Sequence, residues 1–103
     1  MPNGVIEKLP AAAIRFDDFD FTDDLPSDTS IAGAVTAVNS AGTADATVVG
    51  TVDVSGMIVR AIVQAGTNGQ DYLFDFKATG VTTAQVAIKQ LEVRVRSKVT
   101  GAL

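Results

Sequence analysis

Between Asp71 and Lys77 the chain repeats with period two. Tyr72, Phe74 and Phe76 fall on one side, and Asp71, Asp75 and Lys77 on the other. Successive side chains of a β-strand point to opposite faces, so this order buries a wall of rings and leaves the charges in water. A helix would scatter the same residues around its circumference. The pattern recurs upstream: Phe19 and Phe21 alternate with Asp18 and Asp20. From Met57 to Gln64, a dry face of Met57, Val59, Ala61 and Val63 opposes Ile58, Arg60, Ile62 and Gln64. The dry face is expected to point inward.

The rest of the chain divides in the same way. Ile31–Val38 is a run of small and β-branched residues closed by Asn39-Ser40-Ala41-Gly42, and Ala46–Val54 supplies Val48, Val49, Val52 and Val54. Between Gln85 and Arg96 the apolar set moves from even numbers (Val86, Ile88) to odd (Leu91, Val93, Val95). Such a slip predicts a β-bulge, or else a short edge strand ending near Gln90 with a new strand from Leu91. Turn residues punctuate these segments at Asp23–Asp28 and Thr79–Thr83, and Ala65–Gln70 reads as a hairpin loop in which Asn68-Gly69 supplies positive φ. No helical stripe of useful length occurs. About seven strands at this spacing predict an all-β chain, a sandwich or small barrel. Residues 1–13 carry Pro2, Gly4 and Pro10 ahead of three alanines, and are expected to form an extended N-terminal arm outside the core. The domain proper is then expected to span 14–103.

Composition narrows the chemistry. At 103 residues, 47% hydrophobic and 19% charged, the chain suits one folded domain. It has no cysteine and no histidine, which excludes disulfides, thiolate nucleophiles, Cys/His zinc sites and the Ser-His-Asp arrangement. Without tryptophan, the core must come from valine, isoleucine and the five phenylalanines. A net charge of −4 argues against a nucleic-acid partner, and no apolar run approaches the length of a membrane span. The first residues lack a basic region followed by an apolar stretch, so no secretory signal is expected.

Few constellations offer chemistry. Asp17, Asp18, Asp20, Asp23, Asp24 and Asp28 form an acidic cluster, but its spacing lacks the glycine and closing glutamate of a calcium loop. Solvated carboxylates that cap a turn and guard a strand edge explain it better. Arg94, Arg96 and Lys98 form a basic row at spacing two, read as a solvent-facing strand edge or a patch for an acidic neighbour. Asp71 and Asp75 would stand roughly 13 Å apart along a strand, too far to share a proton. Tyr72, at the head of a strand after a glycine-containing loop, is placed to tie that loop down through its hydroxyl. No catalytic residues, metal ligands or cofactors are expected.

Asp18-Phe19-Asp20-Phe21, then Leu25 and Asp28-Thr29-Ser30-Ile31, resembles the opening of small immunoglobulin-like structural proteins of tailed bacteriophages. Gly69–Phe76 and Leu91–Arg96 are similar to their Gly-x-x-Tyr hairpin and closing Val-x-Val-Arg strand. The likeness covers residues 17–96; it departs from the family at Asp23-Asp24, where an aromatic is usual, and at Ser27, where glycine is usual. It implies an immunoglobulin-like antiparallel β-sandwich and a non-enzymatic virion component made in the host cytoplasm, either a head decoration or a neck, tail or fibre adaptor. The implied partners are other virion proteins and further copies of the chain, with no nucleic acid and no membrane. Val5, Ile6 and Leu9 of the arm, Asp18 and Asp20, and Arg94 and Arg96 are the expected contact residues. The alternative is a carbohydrate- or surface-binding module of an extracellular protein.

Overall fold

In the computed structural model, which describes residues 4–97, the alternating segments become strands of two facing sheets. They are β1 (Gly4–Lys8), β2 (Ile14–Asp20), β3 (Ile31–Asn39), β4 (Val49–Ser55), β5 (Ile58–Val63), β6 (Asp71–Gly80) and β7 (Val86–Val95). One sheet has the order β1-β7-β6-β3 and the other β2-β5-β4. Strands β7-β6-β3 and β2-β5-β4 follow the order of the G-F-C and B-E-D sets of an immunoglobulin sandwich, with β1 added beside β7.

The core is the inward half of each alternation. Phe74, Phe76, Val59, Val63, Val93 and Val95 are all buried. Phe19 from one sheet stacks on Phe76 from the other, with ring centroids 4.0 Å apart and planes inclined by 14°. The dry face read from the sequence is the inward one: Val59, Ala61 and Val63 are buried, and Met57 packs at its margin. A stacked ring contact of this kind adds to the stabilisation from the area that each ring buries.

Four expectations are corrected. The segment expected to be a free arm is, from Gly4 to Lys8, an edge strand paired in parallel with Leu91–Val95. The sandwich is therefore not wholly antiparallel, and its boundary does not fall at residue 13. The cause is a short alternation hidden between glycine and proline: Ile6 packs against the core and Lys8 is 2% exposed, while Val5 points outward. Pro10 falls in the turn that follows, where Ala12 N–H donates to Leu9 C=O at 3.0 Å. Second, Ala65–Gln70 is not a hairpin loop, because β5 and β6 lie in different sheets; it carries the chain across the sandwich.

Third, β7 is a single strand without a bulge, and its register with β6 runs unbroken from Asp71↔Arg94 to Thr79↔Val86. Val86 and Ile88 break the inward pattern because they face solvent, each 52% exposed. The irregularities lie in β2, between Phe16 and Phe19, and in β4, between Val49 and Val52. Fourth, Ala46–Val48 is a 3-10 turn ahead of β4, not part of it, with Asp45 capping the Thr47 N–H at 3.0 Å.

Candidate interaction surfaces

The ionisable and hydrogen-bonding groups singled out in the sequence, Lys98 excepted, fall within the described residues. Tyr72 is 2% exposed, and its hydroxyl accepts the backbone N–H of Thr67 at 3.0 Å. The bond holds the crossover loop against the start of β6, as a tyrosine at the corresponding corner does in immunoglobulin sandwiches. Gly66, with φ +106°, lets the loop pass beside Tyr72 and Val95.

The acidic cluster disperses. Asp20 accepts the hydroxyl and the backbone N–H of Thr22, at 2.6 and 2.9 Å, and these bonds hold its carboxyl below the usual range. Asp24 pairs with Lys89 at 3.3 Å. Lys89 also donates to Asp20 C=O at 2.8 Å and lies 5.3 Å from the Phe21 ring centre, so it bridges β7 to the end of β2. Asp28 turns inward. It is 6% exposed and accepts the Thr83 hydroxyl and the N–H groups of Thr82 and Thr83. Among the described residues, no three carboxylates come together in a way that would hold a metal ion.

Of the seven expected contact residues, Val5, Ile6 and Asp18 come together. They line a cleft of about 350 Å³ at the edge strands β1 and β2, together with Phe16, Phe19, Lys89 and Leu91. Val5 is 51% exposed, whereas Ile6 is largely committed to the core. Leu9 is 45% exposed just beyond β1. Asp20 is occupied by Thr22, as above.

Arg94 and Arg96 are not free charges. Arg94 pairs with Glu92 on its own strand at 2.7 Å, and Arg96 pairs with Asp71 at 2.7 Å. A basic row is thereby reduced to two local ion pairs; Lys98, its third member, lies outside the described residues.

Three features escaped the sequence reading. Lys8 is buried against main-chain oxygens: its ammonium donates to Leu9 C=O at 2.8 Å, to Pro10 C=O at 3.4 Å and to Ala65 C=O. It thus ties β1 to the crossover loop, and burial pushes its pKa down. Arg60 forks onto Asp53 at 2.6 and 3.0 Å across β5 and β4, which lowers the Asp53 carboxyl and raises the Arg60 guanidinium. Neither has a sequence signature, because each partner is set by the register or by a main-chain atom far along the chain. The inward turn of Asp28 is the third.

The aromatic side chains are spent on the interior. Phe19, Phe21, Tyr72, Phe74 and Phe76 are buried, and Phe16 packs partly buried against them. What the surface offers is strand edges, the outer face of the four-stranded sheet with Val86 and Ile88, and the β1/β2 cleft. No protein-family profile, curated protein or solved structure matches the chain.

Proposed function

We propose that the chain is a non-catalytic structural component of a tailed-phage virion, a head decoration or a neck, tail or fibre adaptor, acting through subunit contacts. One observation carries most weight. The segments that resemble the phage proteins are those on which this sandwich depends: Asp28 caps the β6–β7 turn, Tyr72 ties the crossover loop, and Leu91–Val95 packs the core. A likeness spread over such framework positions is a likeness of fold, and the small apolar and backbone surface left outside suits docking. The carbohydrate-module reading gains little from the side chains: sugar platforms use exposed rings, whereas five of the six rings here are buried and the sixth, Phe16, is half-buried at the β1/β2 cleft.

Quantitative mass spectrometry of gradient-purified phage particles tests the proposal. A fixed ratio of this chain to the major capsid or tail protein, retained through a high-salt wash, is expected. Absence from particles, with the chain present in the lysate, would overturn it.

A further inference from the structure

Four strands close the sheets at their edges, and three of them carry a device against pairing with another chain. Among the described residues β1 spans five, Gly4–Lys8, and it bears Glu7. β2 is bulged and bears Asp17, Asp18 and Asp20; β4 has a register shift and Asp53. β3 has none of these. Its nine residues, Ile31–Asn39, include no charge and no proline, and their register with β6 is unbroken.

The direction of its backbone groups follows from two bonds. Asn39 N–H donates to Thr43 C=O at 2.9 Å, and Ala37 C=O accepts from Asp45 N–H at 3.0 Å. Both lie on the side away from β6. Backbone groups alternate sides along a strand, so those of Ile31, Gly33 and Val35 also face away from β6. Among the described residues no strand pairs with them there. Thr43–Asp45 therefore covers the edge from Ala37 to Asn39 and leaves Ile31–Val35 open. Val54 of β4, 36% exposed, lies beneath Gly33, so the floor under this open stretch is apolar.

We infer that this edge pairs with the same edge of a second copy, antiparallel and centred on Gly33. A two-fold axis there sets Gly33 against Gly33 and Ile31 against Val35 of the second copy, giving about six ladder hydrogen bonds. Centring on Val35 instead would drive Thr43–Asp45 of each copy into Gly33 of the other. The open stretch has no charge to repel itself, and the exposed side chains that meet across the axis, Ala32 and Ala34, are small. The two four-stranded sheets become one of eight. This deepens the assembly reading by naming a second copy as one partner, yet the two fail separately, since self-association is read in solution without particles.

The test is sedimentation velocity on the full chain from about 10 μM to about 1 mM, a range chosen because so small an interface gives a weak dimer. For the wild type, the weight-average mass is expected to rise from 10.6 kDa toward twice that value. In the proposed register Ala32 stands opposite Ala34 of the second copy. Ala32→Glu with Ala34→Glu, and separately Ala32→Lys with Ala34→Lys, should therefore each hold the chain monomeric. Mixed in equal amounts, the two variants should associate at least as well as the wild type. Both sites are exposed, and unchanged circular dichroism confirms that the variants fold. A wild type that stays monomeric throughout, variants that dimerise like the wild type, or a mixture that stays monomeric would each overturn the inference.

Discussion

The carboxylate of Asp28 accepts the hydroxyl of Thr83 at 2.6 Å, joining residues 55 positions apart. With the N–H groups of Thr82 and Thr83 at 2.8 and 3.1 Å, it closes the turn between β6 and β7 from outside the turn. The Thr83 hydroxyl, then these N–H groups, hold the Asp28 carboxyl below its ordinary value. A carboxyl lowered in the folded chain binds fewer protons there than in the unfolded chain. Its stabilisation is complete above the ordinary value of about 3.9 and is lost as pH falls through the lowered one. Asp20 and Asp53 act with the same sign. Asp28→Asn is expected to melt lower at pH 7 and to lose less on acidification from about pH 5 to about pH 2. Thermal melts across that range check it; parallel curves for the two proteins would contradict it.

Gly80 should resist alanine for the same reason. A Cβ there would overlap the carboxylate of Asp28. Gly→Ala in extended backbone ordinarily stabilises by about 0.4–1 kcal/mol through the unfolded chain. Here Gly80→Ala is expected to destabilise instead. In an Asp28→Ala background most of that loss should disappear, a coupling that urea denaturation of the four proteins would measure.

Tyr72→Phe keeps the ring in the core and removes only the acceptor for Thr67 N–H. A loss of about 1 kcal/mol is expected. Faster amide exchange should be confined to the crossover loop, with the protection of Phe74 and Phe76 unchanged. Equal exchange rates at Thr67 in both proteins would count against the tie.

Removing residues 1–8 tests whether β1 belongs to the domain. The truncation loses the pairing from Gly4↔Leu91 to Lys8↔Val95, the packing of Ile6 and the Lys8 tether. Full burial of an aliphatic side chain is worth about 1.5–3 kcal/mol, and Ile6, partly buried, contributes a fraction of that. A lower urea midpoint with β-type circular dichroism retained is expected, whereas an unchanged midpoint would restore the free-arm reading.

How far the sequence can be read depends on distance. Tyr72, Phe74 and Phe76 declare their face within six residues, and so do Val59, Ala61 and Val63; local alternation was enough for these strands. Val86 and Ile88 mislead for the same reason. Alternation records which residues are apolar, and two apolar side chains left in solvent look like a slip in register. Sheet membership is not local, so the Asn68-Gly69 signal that reads as a hairpin proves to be a crossover between sheets. β1 is legible only as Ile6 between Gly4 and Lys8, too short a pattern to separate from an arm. The expected contact residues fare unevenly: Val5 and Asp18 share a cleft, while Arg94 and Arg96 are met by Glu92 and Asp71. Those pairings depend on register and strand direction, which the order of charges along the chain does not reveal.

If this domain works by being docked in place, electron cryomicroscopy of purified particles should show it there. Maps from phage with the coding sequence intact and deleted should differ by repeated density fitting a two-sheet domain of 47 × 26 × 24 Å. Identical maps, with the chain found only in the soluble lysate, would contradict the account.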